Sequence, residues 1–429
     1  MSGPPQPPQP PAKDSAGTGT RLAWLDVLRG LAALAVVFDH TSYYALQHVR
    51  SLVYHWFDLG KYGVFVFFII SGYIVPASLE RKGSVRAFWI SRVFRLYPLF
   101  VVAIVVSVLG YLYGFGNVAY AQLHPLTAAG SWLLMLSNIL SGPNVPNVVW
   151  TLSFEMVFYL VLTALFTWRV HRHSGGYALG CALGAFALGG VLPMMALYRA
   201  AHGLPGHQYG GGAVPVLDYA SDAAIIIGIA AAVLASGKAN PWPARIGASL
   251  AALVALVLVN VNNSYPYPWS GFTILALMFT GTLIYRAGQG QTSKRTAAVI
   301  AVAVLVLTIG AGAWHGHDYG RAWLYQWVSS LVLAGATFGA GLLLKNRKLP
   351  APLAWLGLVS YSVYLLHPLV LDAYMSIVHK YHQSLGMQAF LALGILAAIL
   401  AVSAVGYYAI EKPMQRAGRW LTAHTRDPL

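Results

Sequence analysis

The sequence predicts an all-α protein, a polytopic bundle of about 10–12 transmembrane helices with both termini in the cytoplasm. Hydrophobic residues make up 58% of the 429 residues and charged residues only 9%, and the mean hydropathy is +0.62. This composition excludes a soluble domain of such length. The apolar residues also fall into segments long enough to cross a bilayer, and most Lys and Arg residues lie in every second connection between them.

The chain divides into a Pro-rich tail, one membrane domain and a second tail. Residues 1–20 lack an apolar stretch, so we predict a disordered cytoplasmic tail there and no cleavable signal peptide. The predicted transmembrane domain covers 21–414, and 415–429 form a C-terminal cytoplasmic tail. The candidate spans are, in order, 22–46, 62–80, 88–114, 148–169, 177–198, 215–236, 245–260, 268–286, 296–314, 321–344, 353–378 and 387–411.

The distribution of positive charge sets the orientation of these spans. With a cytoplasmic N-terminus, the Lys and Arg residues all lie inside except Arg50, Lys61, Arg199, Arg321 and Lys380. The apolar stretch 126–140 is a separate case, because its insertion as a full span would place most of the later cations outside. We therefore interpret it as re-entrant or interfacial.

The first span carries Arg29, Asp39 and His40 where hydrocarbon tolerates few charges. An ionisable group near the bilayer centre costs about 2.5–3.5 kcal/mol on insertion scales, so its presence indicates pairing, hydration or function. Arg29 and His40 are eleven residues apart, which places them on one helix face with a rise of about 16 Å between them. The plainer alternative is that Arg29 reaches the interface and His40 is a packed core residue.

A basic segment rich in aromatic residues follows the second span. Arg92 and Arg95 are three residues apart and share a helix face near other cations, which predicts a cradle for a polyphosphate. The aromatic residues around them, including Tyr97, are able to stack on an adenine or to anchor the helix at the interface. The alternative is an ordinary positive-inside loop that binds lipid headgroups.

Further polar residues lie inside later spans. Glu155 follows Trp150 near the start of an apolar helix. This position favours a carboxylate that lines a cavity, where it orients an imidazole or accepts hydrogen bonds from Arg or Tyr. Tyr361 and Tyr364 share one helix side with the following proline, and His367 lies beside the kink that this proline predicts.

The remaining histidine pairs and the single cysteine do not indicate a functional site. Two His-x-His pairs, at His171 and at His315, have no third ligand nearby in sequence, so we predict no metal site. Cys181 is the only cysteine, and it supports neither an internal disulfide nor a Cys-cluster metal site.

Six motifs follow one another along the chain. They are Arg29-x10-His40, Ile70-Ser71-Gly72-Tyr73, Arg92-x2-Arg95-Leu96-Tyr97-Pro98, Trp150-Thr151-Leu152-Ser153-Phe154-Glu155, Ser360-Tyr361-Ser362-Val363-Tyr364-Leu365-Leu366-His367 and Glu411-Lys412-Pro413. Together, over nearly the whole chain, they resemble the acyltransferase-3 family of integral membrane O-acyltransferases. The resemblance implies transfer of an acyl group, commonly acetyl from cytoplasmic acetyl-CoA, to a hydroxyl of a sugar, a surface polysaccharide or a glycosylated natural product such as a macrolide.

The resemblance also implies roles for residues at the matching positions. His40 is then the catalytic histidine and Arg29 its companion, while Arg92 and Arg95 contact the CoA phosphates. To these we add Glu155 at the catalytic site. Asp39 or Glu155 could orient the His40 ring, and we prefer Glu155 because Asp39 points about 100° away on the same helix. Ser71 and Tyr97 complete the expected donor site. The expected substrate-binding residues are Asp39, Trp150, Tyr361, Tyr364 and His367.

We expect a mechanism in which acyl-CoA docks on the cytoplasmic rim and its thioester extends toward His40. The histidine is a general base for the acceptor hydroxyl, or forms a covalent acyl-histidine. Acyl-CoA is a co-substrate, and we expect no permanently bound cofactor and no nucleic acid partner. The Ala- and Gly-rich, Arg-over-Lys composition hints at a bacterial host, which predicts a multi-pass protein of its inner membrane.

Two departures from the family pattern matter. The family usually has a ten-helix core, whereas hydropathy indicates about twelve spans here. We also expect no fused hydrolase-like domain, so the membrane domain either acylates its acceptor itself or hands the acyl group to a separate protein.

Two other classes of protein remain as alternatives. One is a multi-span transporter of a small molecule or lipid-linked sugar, because intramembrane charges and a kinked helix occur there as well. The other is an acyltransferase of the membrane-bound O-acyltransferase type, which has a different fold. His367 and Asp372 also match the short H-x4-D pattern of a glycerolipid acyltransferase class, over too few residues to carry an assignment.

Overall fold

The fold is a bundle of α-helices, described by a computed structural model. The structure describes residues 23–114, 125–140, 142–188, 215–261, 268–377 and 384–424, and no strand occurs among them. The all-helical class that the sequence predicted is therefore confirmed for the described part of the chain. The predicted tail 1–20 lies outside the described residues.

Fifteen α-helices follow one another in the described ranges. They are α1 (Ala23–Ala45), α2 (Gln47–Val53), α3 (Leu59–Lys82), α4 (Val85–Leu112), α5 (Pro125–Leu134), α6 (Trp150–Thr167), α7 (Ser174–Leu188), α8 (Pro215–Leu234), α9 (Trp242–Val261), α10 (Pro268–Gly288), α11 (Lys294–His315), α12 (Gly320–Leu344), α13 (Ala351–Ile377), α14 (Leu385–Gly406) and α15 (Lys412–His424). A π-helical turn, Tyr407–Glu411, joins α14 to α15.

Nine helical segments in the described part of the chain are long and apolar enough to cross a membrane. This number is lower than the 10–12 spans expected from sequence. Helix α1 has 23 residues but carries Asp26, Arg29 and Asp39, and α7 has only 15 residues. The charges of α1 and the short length of α7 therefore exclude these two helices from the nine.

The ends of several helices meet at one end of the bundle, which we call the basic end. At the ends of α3 and α10, Glu80 and Arg286 form an ion pair of 2.6 Å. The Arg245 Nε near the start of α9 donates to the Thr167 carbonyl at the end of α6. The last helix, α15, packs against the first half of α4 through Gly418. The basic end therefore collects the cation-rich connections that the charge distribution grouped on one side.

The stretch 126–140 does not form a spanning helix. Its helix α5 has 10 residues, which corresponds to about 15 Å. The Trp132 indole donates to the Pro143 carbonyl at 3.1 Å, so the chain folds back on itself after α5. Helix α4 leads away from the basic end and α6 leads back to it. The described residues 125–140 thus form no span of their own, in line with the re-entrant interpretation.

Two glycines allow the helix crossings that shape the interior. A Cβ on Gly72 in α3 would lie 1.8 Å from the Met278 carbonyl oxygen of α10. A Cβ on Gly357 in α13 would lie 1.9 Å from the Asp26 carbonyl oxygen of α1. Only a residue without a side chain fits such backbone contact, and small residues serve this purpose in membrane helix packing. The two crossings pack α3 against α10 and α1 against α13, and α1, α3 and α13 carry residues of the candidate site.

Candidate functional site

One cavity, which we call the first cavity, lies among α1, α3, α4, α6 and α13. It opens to the surface, and about 710 Å³ of space free of protein atoms lies within it and its mouth. Seven residues that the sequence predicted for the site line it: Arg29, Ser71, Arg92, Arg95, Glu155, Tyr361 and Tyr364. Five helices far apart in sequence therefore bring most of the predicted site residues to one place.

The first cavity is rich in positive charge. Arg29, Arg92 and Arg95 line it, and Glu155 is the one carboxylate among its described lining residues. Arg92 is only 6% exposed, its guanidinium carbon lies 5.3 Å from the Phe88 and Tyr159 ring centres, and its Nε has no hydrogen-bond partner. Arg29 is 3.6 Å from Asp26 on its own helix. Three guanidinium groups, of which Arg92 is buried with an unused Nε donor, favour an anionic ligand in this cavity.

Glu155 lies in the first cavity, and the prediction that it contacts His40 is wrong. The sequence analysis expected Glu155 to orient the His40 ring. Its Oε1 instead accepts hydrogen bonds from the Tyr159 hydroxyl and, at 3.5 Å, from Ser71. Glu155 thus lies beside the arginines, where its charge offsets part of theirs, and the ring partner of His40 is a different residue.

The second cavity encloses about 670 Å³ and lies farther along α1, toward the end opposite the basic end. It is lined by Asp39, His40, Tyr43, Tyr44, Arg50, Asn147, Pro368, Leu371 and Asp372. Arg50 donates to the Asp39 carboxylate and to its carbonyl, both at 3.0 Å. The helix rise places Arg29 and His40 about 16 Å apart, so the two cavities hold separate parts of the predicted site.

His40 and His367 form a hydrogen-bonded pair at the second cavity. The His40 Nδ1 lies 2.9 Å from the His367 Nε2, and the His367 Nδ1 lies 3.0 Å from the Val363 carbonyl oxygen. His367 is fully buried, whereas His40 is partly exposed to the cavity. His367 was expected to contact substrate, yet it lines neither cavity and both its ring nitrogens are occupied. Both ring nitrogens of His367 are thus engaged within the protein, one with its own helix and one with α1.

Tyr364 lies between the first cavity and the His40–His367 pair. It lines the first cavity, and its ring centre lies 6.1 Å from that of His367. Its hydroxyl is 2.9 Å from the Thr151 hydroxyl, and its ring contacts Phe67.

Two predicted residues lie outside both cavities. The Tyr97 hydroxyl donates to the Leu133 carbonyl of α5 at 2.5 Å, so this side chain holds the re-entrant segment in place. Trp150 packs against Phe154 on its own helix. Neither residue lines the cavity to which the sequence analysis assigned it.

The sequence analysis did not assign several residues of the second cavity, among them Tyr43, Tyr44, Arg50 and Asn147. One signal was available, because Arg50 is among the few cations on the side opposite the basic loops. No group of three or more His, Cys, Asp or Glu side chains with metal-binding geometry occurs in the part of the chain that the structure describes.

The chain is similar in sequence to a known protein family and to several known proteins. A family model described as an acyltransferase domain matches residues 22–408. The chain is 33% identical over 156 residues to Acyltransferase MdmB of Streptomyces mycarofaciens, which is 33% of this chain and 38% of that protein. It is 33% identical over 183 residues to Nodulation protein 10 of Rhizobium leguminosarum bv. viciae, covering 38% of this chain and 50% of the relative.

A further relative is Exopolysaccharide production protein ExoZ of Rhizobium meliloti, with 36% identity over 138 residues, or 30% of this chain and 43% of that protein. The chain thus spans half or less of the length of these relatives. No solved structure matches the chain.

Proposed function

Because this chain belongs to the acyltransferase family whose model covers residues 22–408, we propose that it is a membrane O-acyltransferase that uses acyl-CoA. The acyl group is acetyl in the first instance, and the acceptor is a hydroxyl of a sugar, a surface polysaccharide or a glycosylated natural product. The observation that supports this most is the placement of three arginines in one cavity and a histidine at the next.

The first cavity suits the phosphates of an acyl-CoA. Arg92 and Arg95 share one face of α4, and Arg29 faces them from α1. Guanidinium groups bind phosphate oxygens through parallel hydrogen bonds, and the water-poor cavity strengthens that attraction. Ser71 adds a hydroxyl to the same wall. The flexible arm of the donor then passes Tyr364 and carries its thioester toward His40.

The second cavity suits a polyhydroxyl acceptor. Tyr43 and Tyr44 supply aromatic faces, while Asp39, Asn147 and Asp372 supply hydrogen-bonding groups. Aromatic rings combined with a few fixed polar groups are typical of small-molecule sites that orient a ligand. We therefore assign the acceptor to this cavity.

The proposed reaction joins the two cavities. His40 removes the proton of the acceptor hydroxyl, and the oxygen attacks the thioester carbonyl carbon. The C–S bond then breaks, and the CoA sulfur takes the proton from His40, so that the products are an ester and free CoA. A covalent acyl-histidine, in which His40 itself first attacks the thioester, uses the same residues.

The proposed orientation places the basic end in the cytoplasm of a bacterial cell, where acyl-CoA is available. Since His40 lies about 16 Å farther along α1 than Arg29, the acyl group is delivered toward the outer side of the inner membrane. The acceptor binds there directly, or a separate protein accepts the acyl group.

The first experiment measures acetyl-CoA binding to the protein in nanodiscs. We expect saturable binding that weakens at least about tenfold in an Arg92→Ala/Arg95→Ala variant, because each charge-assisted hydrogen bond contributes about 1.5–3 kcal/mol. Dephospho-CoA should compete poorly and desulfo-CoA well, since the phosphates and not the sulfur hold the donor. The matched control is Arg347→Ala, which changes an exposed cation outside the first cavity.

The acyl-transfer step is tested in isolated membranes with acetyl-CoA and a panel of methyl glycosides. His40→Ala should abolish donor-dependent acylation while it leaves acetyl-CoA binding within about twofold, since His40 is distant from the arginines. Full activity of His40→Ala would overturn the mechanism. A folded wild-type protein that does not bind acetyl-CoA would overturn the donor assignment and favour a transporter.

A further inference from the structure

We infer that His367 is a positioning residue that sets the tautomer and orientation of the catalytic His40. The inference rests on the proposed function, in which His40 acts as the base. It gives His367 a role different from the substrate contact that the sequence suggested.

The hydrogen atoms of the neutral pair have only one arrangement. A carbonyl oxygen accepts hydrogen bonds and cannot donate them, so the contact with Val363 requires a proton on the His367 Nδ1. A neutral imidazole with a proton on Nδ1 has a bare Nε2. The His40 Nδ1 at 2.9 Å must therefore donate to it, which leaves the His40 Nε2 without a proton. This bare nitrogen is the one that His40 has available for the cavity it lines.

The environment of His367 keeps this arrangement in place. The residue has no solvent exposure, and it lies on α13, the helix that packs along α1. One of its ring nitrogens is bonded to its own helix and the other to α1. Neither nitrogen is left for a ligand, so the structure assigns His367 a role through His40 and not through the substrate.

The hydrogen bond between His40 and His367 persists while His40 takes up a proton and while it releases it. When the His40 Nε2 takes the proton of the acceptor hydroxyl, the ring becomes an imidazolium. Its Nδ1–H remains bonded to the His367 Nε2, and this neutral acceptor stabilises the charge without itself being ionised. The proton then passes from the His40 Nε2 to the departing CoA sulfur. His40 returns to the same tautomer, so no proton is lost or gained by the pair.

Several charged groups lie near the His40–His367 pair. Asp39 and Asp372 line the same cavity as His40, together with Arg50. Asp58 lies at the start of α3, where it pairs with Lys61 at 3.0 Å. The effect of the His40–His367 hydrogen bond is therefore measured in variants that differ only at His367, so that these charged groups stay the same.

Two substitutions make this separation. In His367→Gln the amide reaches the position of the imidazole Nε2, so its oxygen is able to accept the His40 Nδ1–H bond. In His367→Asn the amide reaches only the position of Nδ1, so it keeps the Val363 contact and loses the His40 contact. The two variants have similar polarity and differ by one methylene. His315→Gln is the control, because His315 bonds the Phe186 carbonyl away from both cavities.

Two measurements are made on each variant in nanodiscs. The first is the turnover of acetyl-CoA with methyl glycosides, together with the Kd for acetyl-CoA. The second is the rate at which diethyl pyrocarbonate modifies His40, followed by mass spectrometry of the peptide. That reagent reacts with an unprotonated ring nitrogen, so it reports on the His40 Nε2 without an acceptor.

We expect His367→Gln to keep turnover and His40 modification within about fivefold of wild type. His367→Asn should lose about 100-fold in kcat, the size of a general-base contribution, with an unchanged Kd for acetyl-CoA. His315→Gln should match wild type in both measurements.

Equal behaviour of the Gln and Asn variants would overturn the inference, whether both are active or both inactive. If both match wild type while His40→Ala is inactive, only the role of His367 fails and the proposed function stands. If the wild type shows no turnover, the proposed function fails in this assay. The modification rates of His40 in the two variants then still decide the hydrogen-bond assignment.

Discussion

Gly72→Ala tests whether backbone contact between α3 and α10 holds the first cavity in shape. The added Cβ would lie 1.8 Å from the Met278 carbonyl oxygen and 2.6 Å from its Cα. An ordinary contact is about 3.4 Å or more, so the two helices must separate by about 1.5 Å at this point. The separation also lengthens the 2.8 Å hydrogen bond from Thr282 to the Gly72 carbonyl.

The magnitude follows from these two effects. Overpacking of this kind costs about 1–3 kcal/mol, and a weakened hydrogen bond adds about 1 kcal/mol. We expect a total loss of about 2–4 kcal/mol in the free energy of unfolding. Ser71, next to Gly72, would also move relative to Glu155, so acetyl-CoA binding should weaken. The matched control is Gly339→Ala on α12, where an added Cβ meets no atom within 4 Å.

Stability is measured by thermal unfolding in detergent, followed by size-exclusion chromatography with tryptophan fluorescence. The Gly339→Ala variant should unfold at or slightly above the wild-type temperature, because alanine favours helix by up to about 1 kcal/mol over glycine. A Gly72→Ala variant that unfolds together with this control would show that the helices do not touch as described.

Two further predictions concern the basic end. Glu80→Gln removes the charge that faces the fully buried Arg286 at 2.6 Å, so we expect a loss of about 3 kcal/mol in the free energy of unfolding. The double variant Glu80→Gln/Arg286→Gln should recover part of this loss. Equal stability of wild type and Glu80→Gln would contradict the pairing. Burial lowers the pKa of His171 from its usual 6.5 despite the opposing effect of Glu80, so the folded state favours the neutral ring. Its contribution to stability is therefore complete above about pH 6.5 and is lost as the pH falls below that value. Unfolding across this range should show a weaker acid dependence in His171→Gln but not in His173→Gln, and equal curves for both variants would refute the assignment.

The fold class and the family followed from local features of the sequence. Apolar segments of spanning length must form helices in a membrane because no other open structure satisfies the backbone hydrogen bonds there. The family resemblance, carried by six motifs, is confirmed by a match over residues 22–408. The number of spans was less predictable, since α1 has the length of a span but carries the charges of the site.

The residues of the first cavity were also largely predictable. Arg29 was predicted for the site because a charge within a membrane span is costly and is retained for a reason. Arg92 and Arg95 were predicted because their spacing places them on one helix face in a basic segment. The structure brings all three to one cavity. Tyr97 was expected at the donor site because it is one of the aromatic residues near these arginines in sequence, and the structure shows its hydroxyl donating to the Leu133 carbonyl of the re-entrant segment.

By itself the sequence determined the membrane-helical class, the family and the identity of the charged residues, because each depends on composition or short spacing. Only the tertiary structure decided that Glu155 lies with the arginines and that His40 pairs with His367. These two histidines are 327 residues apart, and no pattern along the chain states which helices touch. The packing of α1 along α13 decides this contact: the two helix backbones meet at Gly357, ten residues before His367, and the two rings meet farther along the same helix pair.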